Sequence, residues 1–170
     1  MNPQAAAAYV EPVVKTIRVQ ATPARAFEVF TTRMSRWWPP GYSISPTKTP
    51  LAEVVLEPRA GGRWYERGTD GSECDWGRVL VWEPPARIVL AWQITAAWQF
   101  DPTLLTEVEV RFEANEPGTT EIKLEHRRLE RMGETAAGMR AVIDSDTGWS
   151  GLLKRYATEV ATPPSSSATA

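Results

Sequence analysis

Histidine and cysteine are nearly missing from this sequence: its 170 residues hold one of each, His126 and Cys74. A single thiol closes no internal disulfide, and without a CxxC pair or a second imidazole neither a thiolate zinc cluster nor a His-rich metal site is expected. Positive charge is not in excess either. With Lys+Arg at 19 against Asp+Glu at 21, there is no basic field to hold nucleic acid or an anionic membrane. No apolar run approaches the roughly 20 residues that span a bilayer, so a soluble chain is expected. The opening MNPQAAAAYVEP lacks the basic and apolar regions of a signal peptide, which makes the cytoplasm the expected location. Gly61-Gly62 and Gly68 have neither the spacing nor the following lysine of a phosphate-binding loop, so no nucleotide or other cofactor is expected.

The ends also lack anything to bury. Residues 1–9 and the Pro/Ser-rich 162–170 read as disordered segments flanking one domain over 10–161, within which no repeat or second composition block occurs. Inside it, β-branched and alternating runs separated by Gly and Pro predict strands at 13–20, 52–58, 62–67, 73–82, 87–94, 106–113 and 120–127. Thr22 with Pro23 opens a helix carrying Ala26, Phe27 and Phe30 on one face, ending near Thr32. If ANEPG (114–118) is a five-residue hairpin loop, Arg111 lies opposite Glu121 and Glu109 opposite Lys123, while Glu107 meets Glu125. At the end, Met139, Val142, Ile143, Trp149, Leu152, Leu153, Tyr156 and Val160 repeat at three- and four-residue steps, a helical stripe with room for a break at Asp146-Thr147-Gly148. The segregated order predicts an α+β fold with a long C-terminal helix across one face of a curved antiparallel sheet.

What the sequence does have is tryptophan, eight of them. An indole buries roughly 200 Å² and dominates whatever interior it enters, so each ring reads as core or as the wall of an apolar ligand site. Trp37 and Trp38 stand before Pro39-Pro40, where neither helix nor strand continues, which suits two rings closing a cavity mouth on a stiff turn. His126 continues the apolar face of Ile122 and Leu124; it is a ligand contact or general base, or a buried histidine satisfied by a neighbour. Glu73 with Asp75, and the run Arg127, Arg128, Arg131, read as solvated surface, and Ser150 has no nucleophile setting.

Several stretches carry a resemblance when taken in order: Phe27 and Phe30, Trp37-Trp38-Pro39, Gly61-Gly62-Arg63-Trp64, then Gly77-Arg78-Val79-Leu80 through Pro84-Pro85 to Leu90-Ala91-Trp92. Leu124-Glu125-His126 and Gly148-Trp149 with Leu153 complete the set. The chain resembles the START-like (SRPBCC) superfamily over about residues 10–160, in particular the bacterial branch similar to the C-terminal domain of the activator of heat-shock protein 90 ATPase. The resemblance implies a helix-grip fold, with an apolar cavity between sheet and C-terminal helix. It does not by itself imply one activity, because the superfamily includes carriers, receptors, cyclases and chaperone activators. The expected function is binding of a small hydrophobic or aromatic ligand without catalysis, lined by Trp37, Trp38, Trp64, Trp92, Phe112, Trp149 and Tyr156, with His126 as a polar contact. The alternatives are a cyclase- or hydrolase-type enzyme using His126, and a chaperone-associated module that meets a protein partner or a second copy through its surface.

Overall fold

The computed structural model describes residues 8–162; the expectation of loose termini falls almost wholly on residues outside that range. Strand β1 (Val13–Val19) leads through Thr22, whose Oγ1 accepts from the Arg25 N–H at 3.2 Å, into α1 (Pro23–Phe30). Pro23 costs nothing here because the first helical N–H has no partner in any helix. The helix buries Ala26, Phe27, Val29 and Phe30. It stops where Thr31 donates its hydroxyl back to the Phe27 carbonyl at 2.7 Å.

One 3₁₀ turn (Met34–Arg36) follows, then a meander of β2 (Leu51–Leu56), β3 (Arg63–Gly68), β4 (Glu73–Glu83), β5 (Arg87–Trp92), β6 (Thr106–Ala114) and β7 (Thr120–Arg127). These pair antiparallel in the order β1-β7-β6-β5-β4-β3-β2, so β1 and β2 form the two edges of one seven-stranded sheet. Register shifts at Leu51/Glu53, Trp64/Tyr65 and Val79/Val81 mark irregularities of the bulge kind, which bend and coil strands, and all three fall in the β2–β5 half. The sheet is a curved half-barrel.

The chain closes with α2 (Ala136–Asp144) and α3 (Trp149–Ala161). The expected stripe is therefore split at the anticipated place. Gly148 is required there, since a Cβ at that position would run into the carbonyl oxygens of Val142 and Ile143. Helix α3 lies across the curved sheet, where Trp149, Leu152, Leu153, Tyr156 and Val160 join the core; Val142 of α2 instead remains 39% exposed. No helix among the described residues is long and apolar enough to cross a membrane.

The β6–β7 hairpin corrects the expected register. Its loop is 115–119, so Arg111 faces Lys123, Glu109 faces Glu125 and Glu107 faces Arg127. This register sets Val110 against Leu124 and Phe112 against Ile122 on the buried face, where the expected one would have set Phe112 against Thr120, and the better apolar match outweighs the like-charge neighbours outside. The charges find partners sideways instead: Arg87 reaches Glu109 at 2.6 Å, and Arg127 reaches Glu107 at 3.0 Å and Glu109 at 3.2 Å. Burial pushes the Glu109 carboxyl up, but Arg87, Arg127 and Arg111 more than offset this and hold it below its ordinary value.

Edge strand β2 is tied to the Trp37–Trp38 turn by one side chain. Ser35 Oγ accepts from the Val54 N–H at 2.8 Å and donates to the Val54 carbonyl at 3.0 Å, acting as a one-residue extension of the sheet. Ser35→Ala should cost about 1–2 kcal/mol in denaturant melts, since it orphans both groups of a half-covered strand. A loss below about 0.3 kcal/mol would mean water replaces the hydroxyl fully and the turn is held by its indoles alone.

Candidate functional site

Pro39 and Pro40 end regular structure, and the chain from Trp37 to Pro50 contributes no strand to the sheet. The two neighbouring indoles take different directions from this turn. Trp37 is 1% exposed, donates Nε1–H to the Val29 carbonyl at 2.9 Å and packs against Phe30 and Tyr156. Trp38 lies against Trp76, with ring centroids 5.0 Å apart, and meets Trp149 edge-on at 6.2 Å.

Trp38, Trp76, Trp92 and Trp149 form walls of a cavity of about 420 Å³, completed by Ile94, Ile143 and Leu152. That volume lies in the range of small-molecule sites. Tyr42, Trp98 and Val142 also line it while remaining 39%, 45% and 39% exposed, which makes them its mouth. None of the lining side chains is charged. Of the residues expected from sequence, Trp38, Trp92 and Trp149 stand in this wall. Trp37, Trp64, Phe112, Tyr156 and His126 do not; they are buried behind it.

Each of those five is tied into the protein. Phe112 packs edge-on against Phe27 and Phe30. The Trp64 indole donates towards Met34 Sδ at 3.4 Å. Tyr156 donates its hydroxyl to the Ala26 carbonyl at 2.7 Å, and burial pushes its phenol well above the ordinary value.

His126 is the most constrained. Trp149 Nε1 lies 3.1 Å from His126 Nδ1, and an indole nitrogen can only donate, so Nδ1 is the bare, accepting nitrogen. The proton is then on Nε2 and is donated to Thr106 Oγ1 at 3.0 Å, whose own proton goes to the Trp92 carbonyl at 2.9 Å. Every donor and acceptor in the chain is used once. Complete burial pushes the imidazole pKa down to about 3, so the ring is neutral at neutral pH. With both nitrogens committed and no carboxylate bonded to it, His126 holds Trp92 and Trp149 in place, and has no lone pair left to take a proton from a ligand.

The polar group that sequence reasoning missed is Glu66. It is fully buried and accepts from Ser43 Oγ at 2.6 Å, the Ile44 N–H at 2.7 Å and Trp76 Nε1 at 3.1 Å. Ser43, Ile44 and Trp76 all line the cavity, so Glu66 braces the wall from behind. The available signal was the two-residue period of β3, which sets Glu66 on the same face as Trp64. Other candidates resolve as surface or backbone contacts. Glu73 and Asp75 pair with Arg63 at 3.2 and 2.7 Å, and Ser150 donates to the Asp144 carbonyl. Burial pushes the Cys74 thiol up to about 11, assisted by Glu66 and Asp75, which makes it a poor nucleophile.

Two buried ring nitrogens stand apart. The indole nitrogens of Trp38 and Trp92 are buried and have no hydrogen-bond partner.

Comparison with known proteins adds to this geometry. Residues 20–160 match the family model described as activator of Hsp90 ATPase homolog 1-like protein. Among solved structures, the chain is 37% identical to Txn09, described as an anthrahydroquino-γ-pyrone synthase, with a TM-score of 0.62 over 88% of this chain and 97% of that one. It is 28% identical to CalC of Micromonospora echinospora, described as a self-sacrificing resistance protein, with a TM-score of 0.65 over 88% and 94%. The Aha1 dimer of Colwellia psychrerythraea shares the fold at 14% identity, with a TM-score of 0.58 over 89% and 96%. No curated protein matches the sequence significantly.

Proposed function

The chain belongs to the activator of Hsp90 ATPase homolog 1-like family, and from that premise we propose that it binds a flat, largely apolar small molecule in the cavity between sheet and C-terminal helices. The observation that carries this reading is the mouth. Tyr42, Trp98 and Val142 keep large apolar side chains in solvent at the rim of an uncharged cavity, an arrangement that costs solubility and is repaid when a ligand covers it. A fused-ring aromatic suits walls built of indoles set edge-on to one another. The relative described as a synthase of an anthrahydroquinone-type product supports the same ligand class.

Fluorene, a neutral three-ring hydrocarbon, tests the reading by equilibrium dialysis. It should bind the wild type, and Gly41→Trp should weaken it at least about tenfold with little change in melting temperature. Gly41 lines the cavity, and a Cβ added there meets no atom within 4 Å, so a side chain can leave the backbone at the mouth without a clash at its first atom. If fluorene does not bind, or Gly41→Trp leaves its affinity unchanged, the cavity is not the site.

A second reading, a cyclase-type enzyme acting in the same cavity, is favoured by the synthase relative and by the buried Glu66–Ser43 pair. In that reading Glu66, acting through Ser43, takes the proton-handling role first expected of His126. Turnover of a fused-ring polyketone that is lost in Glu66→Gln and kept in His126→Gln would establish it. A role beside a chaperone rests on the family description, since the Aha1 likeness at 14% identity carries the fold alone.

A further inference from the structure

We propose that the ligand of this cavity is a monocation, a fused-ring aromatic carrying one positive nitrogen, and that the buried carboxylate of Glu66 is its counter-charge. The inference rests on the cavity reading above and deepens it.

Two carboxylates are buried among the described residues, Glu66 and Glu109. Glu109 is paired with three guanidinium groups, those of Arg87, Arg111 and Arg127. Glu66 has no cation, because none of the ion pairs among the described residues includes it. Its partners are three neutral donors, with the Ile44 N–H and the Trp76 Nε1–H on one oxygen and the Ser43 hydroxyl on the other. The 2.6 Å from Ser43 is the length of a hydroxyl donated to an ionised carboxylate. Neutral donors spread that charge without cancelling it, and a buried charge with no opposite one beside it is costly. The fold neutralises one buried carboxylate and leaves the other to be matched from outside the chain.

Beside that charge lies the cavity. Ser43, Ile44 and Trp76 all line it, so the carboxylate stands one residue behind the wall, in a low dielectric that carries its field inward. Much of the wall is aromatic, with Trp38, Trp76, Trp92 and Trp149 inside and Tyr42 and Trp98 at the mouth. Aromatic rings attract a cation through their negative faces, indoles most strongly, and the attraction grows away from water. Trp76 serves both effects, since donating its N–H to Glu66 polarises the ring and enriches it in electrons. No positive charge opposes this field from the wall: no lysine or arginine lines the cavity, and His126 behind it is neutral. An anion would meet Glu66 with no counter-charge, and a neutral ring would leave the carboxylate unmatched. A flat cation satisfies the rings and the charge together.

10-Methylacridinium and 9-methylanthracene test this, because they match in size and shape and differ in one ring atom, a positive nitrogen against a carbon. By equilibrium dialysis against wild-type protein, the cation should bind about tenfold more tightly than the hydrocarbon, against the order that partition alone gives. The anion 9-anthracenecarboxylate should bind more weakly than either. Glu66→Gln removes the charge and keeps the bonds, since the amide oxygen can accept from Ile44 and Trp76 while the amide N–H donates to Ser43 Oγ. It should cut the cation preference about threefold or more while 9-methylanthracene affinity stays within about twofold. Should the variant fail to fold, the wild-type order of cation, hydrocarbon and anion decides. If 9-methylanthracene binds and 10-methylacridinium binds no more tightly, or Glu66→Gln keeps the full preference, the counter-charge proposal is wrong and the cavity reading survives. If none of the three probes binds, both fall together.

Discussion

Trp37→Ala is expected to remove about 3–5 kcal/mol of folding stability while leaving fluorene affinity within about twofold. The adjacent Trp38→Ala should do the reverse in proportion, weakening the ligand more than the fold. The difference arises from one step of backbone at the end of a 3₁₀ turn. Trp37 faces the helices, where its ring touches Phe30 and Tyr156 and its N–H is bonded to the Val29 carbonyl. Arg155 of α3 in turn donates Nε–H to the Trp37 carbonyl at 2.8 Å, so this residue fastens α1, the turn and α3 together. Truncation leaves an indole-sized void among rings that cannot collapse into it, which puts the cost at the upper end for core substitutions. Trp37→Phe separates the parts: it refills most of the void but orphans the Val29 carbonyl, for about 1–3 kcal/mol. Denaturant melts with a matched ligand titration decide the matter. A Trp37→Ala protein that keeps its stability and loses the ligand would place this ring at the mouth after all.

That contrast shows what could be read from sequence and what could not. Pro39-Pro40 announces that the chain breaks and that two large rings must be buried nearby, yet nothing local says which ring turns to the helices and which to the cavity. The strands were legible because alternation reports faces: Ile122, Leu124 and His126 do share the buried side of β7. Alternation does not report depth, so Phe112 and Tyr156, inward-facing and aromatic, could not be told from cavity walls. Trp76, Ile94 and the mouth residues Tyr42 and Trp98 lie in loops or strands whose relation to α2 and α3 is set by the curl of the sheet, a long-range property. The β6–β7 register failed for a related reason. Cross-strand charge pairing was weighed within the hairpin alone, whereas Glu109 is satisfied by Arg87 on β5 and by Arg127 diagonally on β7. Glu66 escaped notice because a carboxylate on a partly apolar strand reads as solvent-facing until its three donors are seen to converge.

Folding stability should fall by about 2 kcal/mol between pH 7 and pH 5, and His126→Gln should abolish most of that dependence. His126 is the only histidine in the chain, so this pH window isolates it. Burial depresses its pKa from the ordinary 6.5 to about 3, which means the unfolded state takes up a proton at pH 5 that the folded state refuses. The unfolded state therefore binds more protons, and stability rises with pH through this range. The contribution is fully present above pH 6.5 and is lost progressively as pH falls towards 3. Carboxylates act lower: Arg63 holds Glu73, and Lys15 holds Asp144, below ordinary values of 4.5 and 3.8, so their contributions fade only beneath the window. Glutamine is the informative replacement because its amide can accept from Trp149 and donate to Thr106 without titrating. The folded state refuses the proton because the imidazole is buried, and because a proton on Nδ1 would set an N–H against the Trp149 N–H. Ligand affinity should stay flat between pH 7 and pH 5 in both proteins, because the folded imidazole is neutral throughout that window. Equal pH dependence of stability in the two proteins would mean that the imidazole is open to solvent and that Trp92 and Trp149 are positioned by packing alone.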